Sequence, residues 1–498
     1  MNGRSTAGRV LLAAVPLIAL LSPAPPAAAA SGAGSIFAPA KPLPPAASAD
    51  AALPVVTGAL SLEDALKLAL QDSVPLRRAR EDQEIARGRQ KEAWSEALPK
   101  VSVAGQYDRL DQEFTVDFDG PGGEGPVNFT YLDNYSVGLL VEQPLFRAGR
   151  AVAAIRAAQY YDMFTDETLR LAVQETLFEA TQSYYYAMLA REQVRVLEAS
   201  LQLAEAQFKD TETKKKFGVA SEFNVLRAEV EVSNAKAQLI RAKNDLDFAW
   251  SDLFRVLGVS QNSSVALTQK LERDSAIPEF EASREIAFEN RPEIAAAALT
   301  VKLQDQKLKA LRSDYWPTFD AFYSLRYAKP DPVNTFVYDW GSTWSAGILM
   351  RWNVFDGMRR EGILVQEKAR QRQYELDWLD TVERTTQEVR KATDAIENAL
   401  EALRAQDKTM TQAQEGLRLA EVGFREGTLD QVAVLDARTA LTSAQLLYFR
   451  SLYDYYVAKL YLARVTGTLG PKAGEPVQLP PPPPTPLAAP APAGASER

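Results

Sequence analysis

Between Gly149 and Gly218 the chain contains neither glycine nor proline. Nothing in this run interrupts a helical hydrogen-bond ladder, so it predicts a single helix over 150–215, about 100 Å long at ~1.5 Å per residue. Small or apolar residues recur at Leu169, Val173, Thr176, Ala180, Tyr184, Ala187, Ala190, Val194, Leu197, Leu201, Ala204 and Phe208. Their mean spacing is about 3.5 residues, the period of helices packed side by side. Lys214, Lys215 and Lys216 suit the negative end of a helix dipole, and Gly218 suits the C-terminal cap. A helix this long excludes an ordinary globule and demands partners of similar length.

Those partners come from a duplication. QPLFRAGR (143–150) matches WNVFDGMR (352–359), with Phe146 opposite Phe355, an offset of 355 − 146 = 209. At the same offset FGVASEFNVLRAE (217–229) matches EGTLDQVAVLDAR (426–438), pairing Gly218 with Gly427, and FRVLGV (254–259) matches ARVTGT (463–468). A second long helix is therefore expected from Arg359 to about Arg425, returning through 430–465. The first returns from a Ser221 cap to about Leu257. Helices over 279–315 and over 61–97, the latter opening with the capping pattern SLED, supply the remaining length.

Each copy also carries two strands. WPTFDAFYSLRY (316–327) alternates, with Phe319, Ala321, Tyr323, Leu325 and Tyr327 on one side. Trp340, Trp344, Ala346, Ile348, Met350, Trp352 and Val354 share a face of its partner. In the first copy Val101, Val103 and Tyr107 alternate, the parity slips near Leu110 as at a bulge, and Phe114, Val116 and Phe118 resume; Tyr135, Val137, Leu139 and Val141 mark the partner. Strands of about ten residues with aromatics near their ends suit a membrane barrel, with Tyr107, Tyr135, Tyr323, Tyr327, Trp340 and Trp344 as girdle candidates. Four strands are too few to close a barrel, and open edges are not tolerated in lipid, so several chains must share one. A pair of soluble hairpins packed on helices is the competing reading.

The compartment agrees. Arg4 and Arg9, the apolar run 10–21 and Ala28-Ala29-Ala30 read as a signal peptide over 1–30. Residues 31–58 and 471–498, the latter with PPPPP at 480–484, are low in complexity and are expected to be an extended or disordered linker and tail. The two repeats occupy 59–278 and 279–470. The chain has no cysteine, hence no disulfide or lipidated cysteine, and no histidine, which removes the commonest general base and metal ligand. A net charge of −9 gives no pull toward nucleic acid.

Over almost all of 59–470 this arrangement resembles the TolC family of outer-membrane efflux and secretion channels. The marks are the duplicated helix–strand–strand–long-helix unit, LP and WP before the outward strands, QPLF and WNVF ending the returning ones, and GTLDQVAVLDA (427–437) at the second tip. The resemblance implies a mainly α fold with a transmembrane β-barrel contribution: a homotrimer forming a twelve-stranded barrel that continues into a helical periplasmic tunnel. It implies outer-membrane lipid around the barrel, no cofactor, and a passive conduit that is not an enzyme. Energy would come from an inner-membrane RND or ABC transporter joined through a periplasmic adaptor (membrane fusion) protein. A soluble periplasmic coiled-coil scaffold or adaptor is the alternative, although adaptors add compact β-domains to one helical hairpin, which this duplicated chain does not show.

Other motifs fail on context. GPGGEG (120–125) fits a nucleotide-loop pattern but lies between two strands, where an exposed hairpin loop is the simpler reading. No nucleophile–base set, phosphate loop or metal cluster is legible. In the family, acidic residues beyond the second turn form constricting rings. Here Asp436 matches one, while Ala433 stands where another aspartate is often found. Arg227 is the repeat equivalent of Asp436 (436 − 209 = 227), so an Arg227–Asp436 bridge between neighbouring hairpins is a second expectation.

Overall fold

The computed structural model describes residues 53–116, 127–268, 278–472 and 474–475, all within the unit Ala52–Arg498. The expected signal peptide, most of the linker and tail, Phe118 and the 120–125 loop lie outside the described residues.

The chain begins with strand β1 (Thr57–Leu60) and helices α1 (Leu62–Asp72) and α2 (Val74–Ser95). Strands β2 (Lys100–Arg109), β3 (Thr115–Val116), β4 (Val127–Asn128) and β5 (Asp133–Phe146) follow. Helix α3 (Arg150–Lys216) leads out and α4 (Glu222–Leu257) returns, ending at β6 (Ser264–Leu267). The second copy has α5 (Phe280–Asn290), α6 (Pro292–Ser313), β7 (Thr318–Lys329), β8 (Gly341–Arg351), α7 (Arg359–Arg425) and α8 (Gln431–Val465).

The duplication is kept to the residue. Helices α3 and α7 each have 67 residues, about 100 Å, and start 359 − 150 = 209 apart. Both end on a left-handed glycine, Gly218 at φ 74° and Gly427 at φ 75°. In both, the following amide reaches back to a carbonyl of the last turn, Val219 N to Lys214 O and Thr428 N to Gly423 O, each at 2.9 Å. The returning helices are capped at equivalent positions: Ser221 accepts from Asn224 N at 3.3 Å and Asp430 from Ala433 N at 3.0 Å.

The shorter helices depart from expectation. The single helices predicted over 61–97 and 279–315 are each broken, at Ser73 and at Arg291. Pro75 and Pro292 each sit in the first turn of the second piece, where a missing N–H costs nothing, and neither could continue the preceding helix. Strands β1 and β6 were not expected. They pair in parallel, Thr57 opposite Ser264, so the linker ends before residue 57. This ladder and α1 cover the middle of α3 over a core that includes Leu60, Ala65, Ala180, Tyr184, Ala187, Leu253 and Leu257. The Tyr184 hydroxyl donates to Leu60 O at 3.0 Å and Arg191 to Leu267 O at 2.8 Å.

Side by side, α4 packs on α3, α3 on α8 and α8 on α7; toward the strands the order is α2, α3, α6, α7. The strands form one antiparallel sheet, β2-β5-β7-β8, whose outer two members each keep a free edge. The parity slip near Leu110 is a strand end and not a bulge, since β3 pairs separately with β4. The irregularity lies instead between Pro144 and Phe146 in β5, where the extra residue shifts parity and places Phe146 opposite Phe319.

Candidate membrane face and tip seam

The register brings the four alternating patterns onto one face. Val103, Leu139, Leu325 and Trp344 stand in one row, and Val101, Val141, Tyr323 and Ala346 in the next. This face is exposed: Val103 is 68 % and Ile348 67 % accessible. The opposite face of the same strands carries Ser102, Gln106, Asp108, Ser136, Ser324, Arg326, Thr343 and Ser345. An apolar outer and polar inner face is the pattern of a barrel wall between lipid and water.

The six girdle candidates stand along this face. Near the hairpin end Tyr107 stacks on Tyr135 at 5.0 Å, Tyr135 meets Trp340 at 6.1 Å and Trp340 stacks on Tyr327 at 4.9 Å. Tyr323 and Trp344 stack at 6.2 Å a little further down. A second aromatic level closes the helix end, where Phe146 meets Phe319 at 6.2 Å and Trp352 Nε1 donates to Tyr315 O at 3.2 Å. From Phe319 to Tyr327 is about 26 Å along the strand at ~3.3 Å per residue, comparable with the ~25 Å apolar band of such barrels.

Residues 330–340 fold back over the polar face. A cavity of about 200 Å³ lies between Asp108, Ser136 and Arg326 on one side and Asp331, Pro332 and Thr335 on the other. The connection is fastened by Tyr131 Oη donating to Phe336 O at 2.7 Å and Tyr338 Oη to Asp133 O at 3.0 Å. A side chain at Gly341 would meet the Asp331 carboxyl at 2.2 Å, so only glycine permits this approach.

At the other end the two helical hairpins meet along a seam. Gln431 Nε2 on α8 donates to Thr211 Oγ1 on α3 at 3.0 Å, and Thr442 Oγ1 lies 3.5 Å from Ser200 Oγ. Lys214 Nζ sits 5.1 Å from the Phe424 ring centroid. Arg438 reaches Glu421 at 3.3 Å within the second hairpin. Asp436 is exposed on α8 and Arg227 is half-buried on α4. Among the described residues neither forms an ion pair within the chain, so a bridge between them would have to join different protomers. The polar contacts of Thr211 and Gln431 carry no sequence signature; only the capping position of Asp430 points to their neighbourhood. Of the three tyrosines at 184–186, Tyr184 is fully buried, Tyr185 packs on Tyr456 at 5.3 Å and Tyr186 is exposed beside Tyr453.

Among the described residues no group of three or more acidic, histidine or cysteine side chains is placed to hold a metal ion. No described helix is long and apolar enough to cross a membrane.

Residues 65–259 and 284–468, both copies of the repeat, match the family described as outer membrane efflux protein. The chain belongs to that family. It is an outer-membrane channel protein of the efflux type, a transport component and not an enzyme. The alkaline protease secretion protein AprF of Pseudomonas aeruginosa is 25 % identical, over 82 % of this chain and 85 % of that protein. The proteases secretion protein PrtF of Dickeya chrysanthemi is 22 % identical, over 82 % and 89 %. The fold is similar to the Campylobacter jejuni CmeC outer membrane channel, with a TM-score of 0.71 at 16 % identity over 83 % of this chain and 87 % of that one.

Proposed function

We propose that three copies of this efflux-family chain close one twelve-stranded barrel, with β8 of each protomer pairing with β2 of the next. The single observation that carries this is the sheet itself: it has a continuous apolar outer face yet leaves β2 and β8 as free edges. Both edge helices of the hairpins support it. Phe223, Leu226, Val230 and Ile240 on α4, and Val365, Leu376 and Leu379 on α7, are exposed at coiled-coil spacing without partners to cover them in one protomer. Mass measurement of the purified protein in detergent tests the reading. A trimer with one pore is expected; a folded monomer with all four strands protected from hydrogen exchange overturns it.

In this reading the conduit is passive, with a periplasmic adaptor joining it to an inner-membrane RND or ABC transporter. The resemblance to two protease secretion proteins favours a polypeptide cargo. Comparing proteins secreted by wild-type and deletion strains checks the cargo, and unchanged secretion with lost drug resistance would favour small-molecule efflux.

The tips close the resting duct. Asp436 lies nine residues past Gly427, about 13 Å up the helix, where three carboxylates would converge near the axis and attract cations. Single-channel recording of Asp436→Asn should show altered resting conductance and cation selectivity. No change in either removes Asp436 from the gate.

A further inference from the structure

The seam between the hairpins encloses a cavity of about 240 Å³ that none of the roles above uses. Its walls come from α3, α4 and α8, with Leu417 of α7, so both hairpins contribute. The cavity carries two cationic side chains. Arg227 and Arg438 both line it, and among the described residues Arg227 has no hydrogen bond or ion pair. Arg438 holds Glu421 only through Nη2, at 3.3 Å, and leaves its buried Nε without a partner. Glu231 is the acid among the lining residues, leaving the lining a net positive charge. The remainder includes apolar Leu203, Leu435 and Leu446.

We propose that this cavity binds a small amphipathic organic anion, a carboxylate on a short aromatic or aliphatic body, and that the bound anion clamps the two hairpins together. Guanidinium groups without full partners are strong carboxylate donors, and a buried unpaired N–H gains most from an acceptor. The volume is below the ~300–1,000 Å³ of drug-sized pockets, so the ligand is small. Because the lining is split between hairpins, the complete site exists only while the seam is closed. A ligand that binds one arrangement alone shifts the population toward it. The site therefore lowers opening when occupied. The clamping half rests on the conduit reading above; binding itself does not.

The test is titration calorimetry of the full-length protein in lipid nanodiscs, with 4-phenylbutyrate as probe and 4-phenylbutylamine as its cationic control. Saturable binding of the carboxylate and not the amine is expected, weakened at least tenfold in Arg227→Gln. Among the described residues that substitution removes no hydrogen bond or ion pair, so its fold should persist. Leu203→Trp, which fills the cavity, should abolish binding. In planar bilayers the carboxylate should lower the resting conductance of wild type and not of Arg227→Gln. Equal binding of carboxylate and amine, or full binding by Arg227→Gln, overturns the site. Binding that appears only in Asp436→Asn also overturns it, because Arg227 would then already be engaged by a neighbouring protomer. Binding with no change in conductance overturns the clamp.

Discussion

Gln431 Nε2 on the returning helix of the second hairpin donates to Thr211 Oγ1 of the first at 3.0 Å, and Thr211 is 1 % accessible. The two residues stand 220 positions apart and join helices that must separate if the tips are to open. A neutral hydrogen bond of this kind contributes about 0.5–1.5 kcal/mol. Gln431→Ala should therefore raise the open fraction several-fold per protomer. Thr211→Val should do the same, and the double variant should add little more. Single-channel open probability measures all three, and additive effects would mean the pair does not act as one contact.

Glu367 in α7 is 5 % accessible and receives Gln304 Nε2 at 2.7 Å, Lys307 at 2.9 Å and Arg370 at 2.6 Å. Burial alone would push its carboxyl up, but the hydrogen bonds from Gln304 and Lys307 and the charges of Lys307 and Arg370 together outweigh it and hold the pKa below the usual range. A lowered folded pKa stabilises the native state fully above the ordinary glutamate value of about 4.3, and that contribution is lost as pH falls through the folded value. Glu367→Gln should cost about 1–3 kcal/mol near neutrality, because the exposed heads of Lys307 and Arg370 are partly solvated already. The difference in thermal midpoint between variant and wild type should begin to shrink as pH falls below about 4.3 and close only below the lowered folded value. A difference unchanged down to pH 3 would show that packing and not charge is at work.

Gly341→Ala should lift residues 330–340 from the polar face. The Asp331 carboxyl cannot step aside freely, since its Oδ1 accepts from Val333 N at 2.8 Å and Asn334 N at 3.2 Å. The chain has no cysteine, so Ala328→Cys, at a buried position in the lining of this cavity, supplies a unique label site beneath this connection. A bulky maleimide added outside whole cells should label it slowly, and at least several-fold faster when Gly341→Ala is also present. Equal rates would mean the connection does not cover Ala328.

The end of the last repeat is held by α3. Buried Arg170 donates to Asn290 O at 2.8 Å and Pro471 O at 3.4 Å, and Gln174 donates to Gly467 O at 3.1 Å. Leu469 packs against the cluster of Leu76, Leu169 and Val173. Ending the chain after Glu475 should leave trimer yield and export intact, whereas ending it after Val465 should abolish both. Heat-modifiable trimer on denaturing gels distinguishes them, and survival of the shorter truncation would show that this clamp is dispensable.

What the sequence determined by itself was whatever repeats or alternates locally. The bounds of α3 followed from a run free of glycine and proline, those of α7 from the repeat offset of 209, and the tips from Gly218 and Gly427. The apolar strand faces followed from parity, which the register Val103–Leu139–Leu325–Trp344 bears out. Comparing the chain with itself located both copies because an offset of 209 persists through helix, turn and cap. The tertiary structure alone decided which elements touch. The β1–β6 ladder joins Thr57 to Ser264 across two short strands with too few residues to show a period. The Gln431–Thr211 contact, the fold-back of residues 330–340 and the Arg170 clamp each join segments whose own patterns are complete without the other. The sequence placed Arg227 and Asp436 at equivalent positions. Packing assigned them different surroundings, because α4 is an edge helix of the wall while α8 lies between α3 and α7. Local periodicity follows from the backbone geometry of each element, whereas contacts between elements depend on which faces are left to bury, and that is settled only when all the helices pack together.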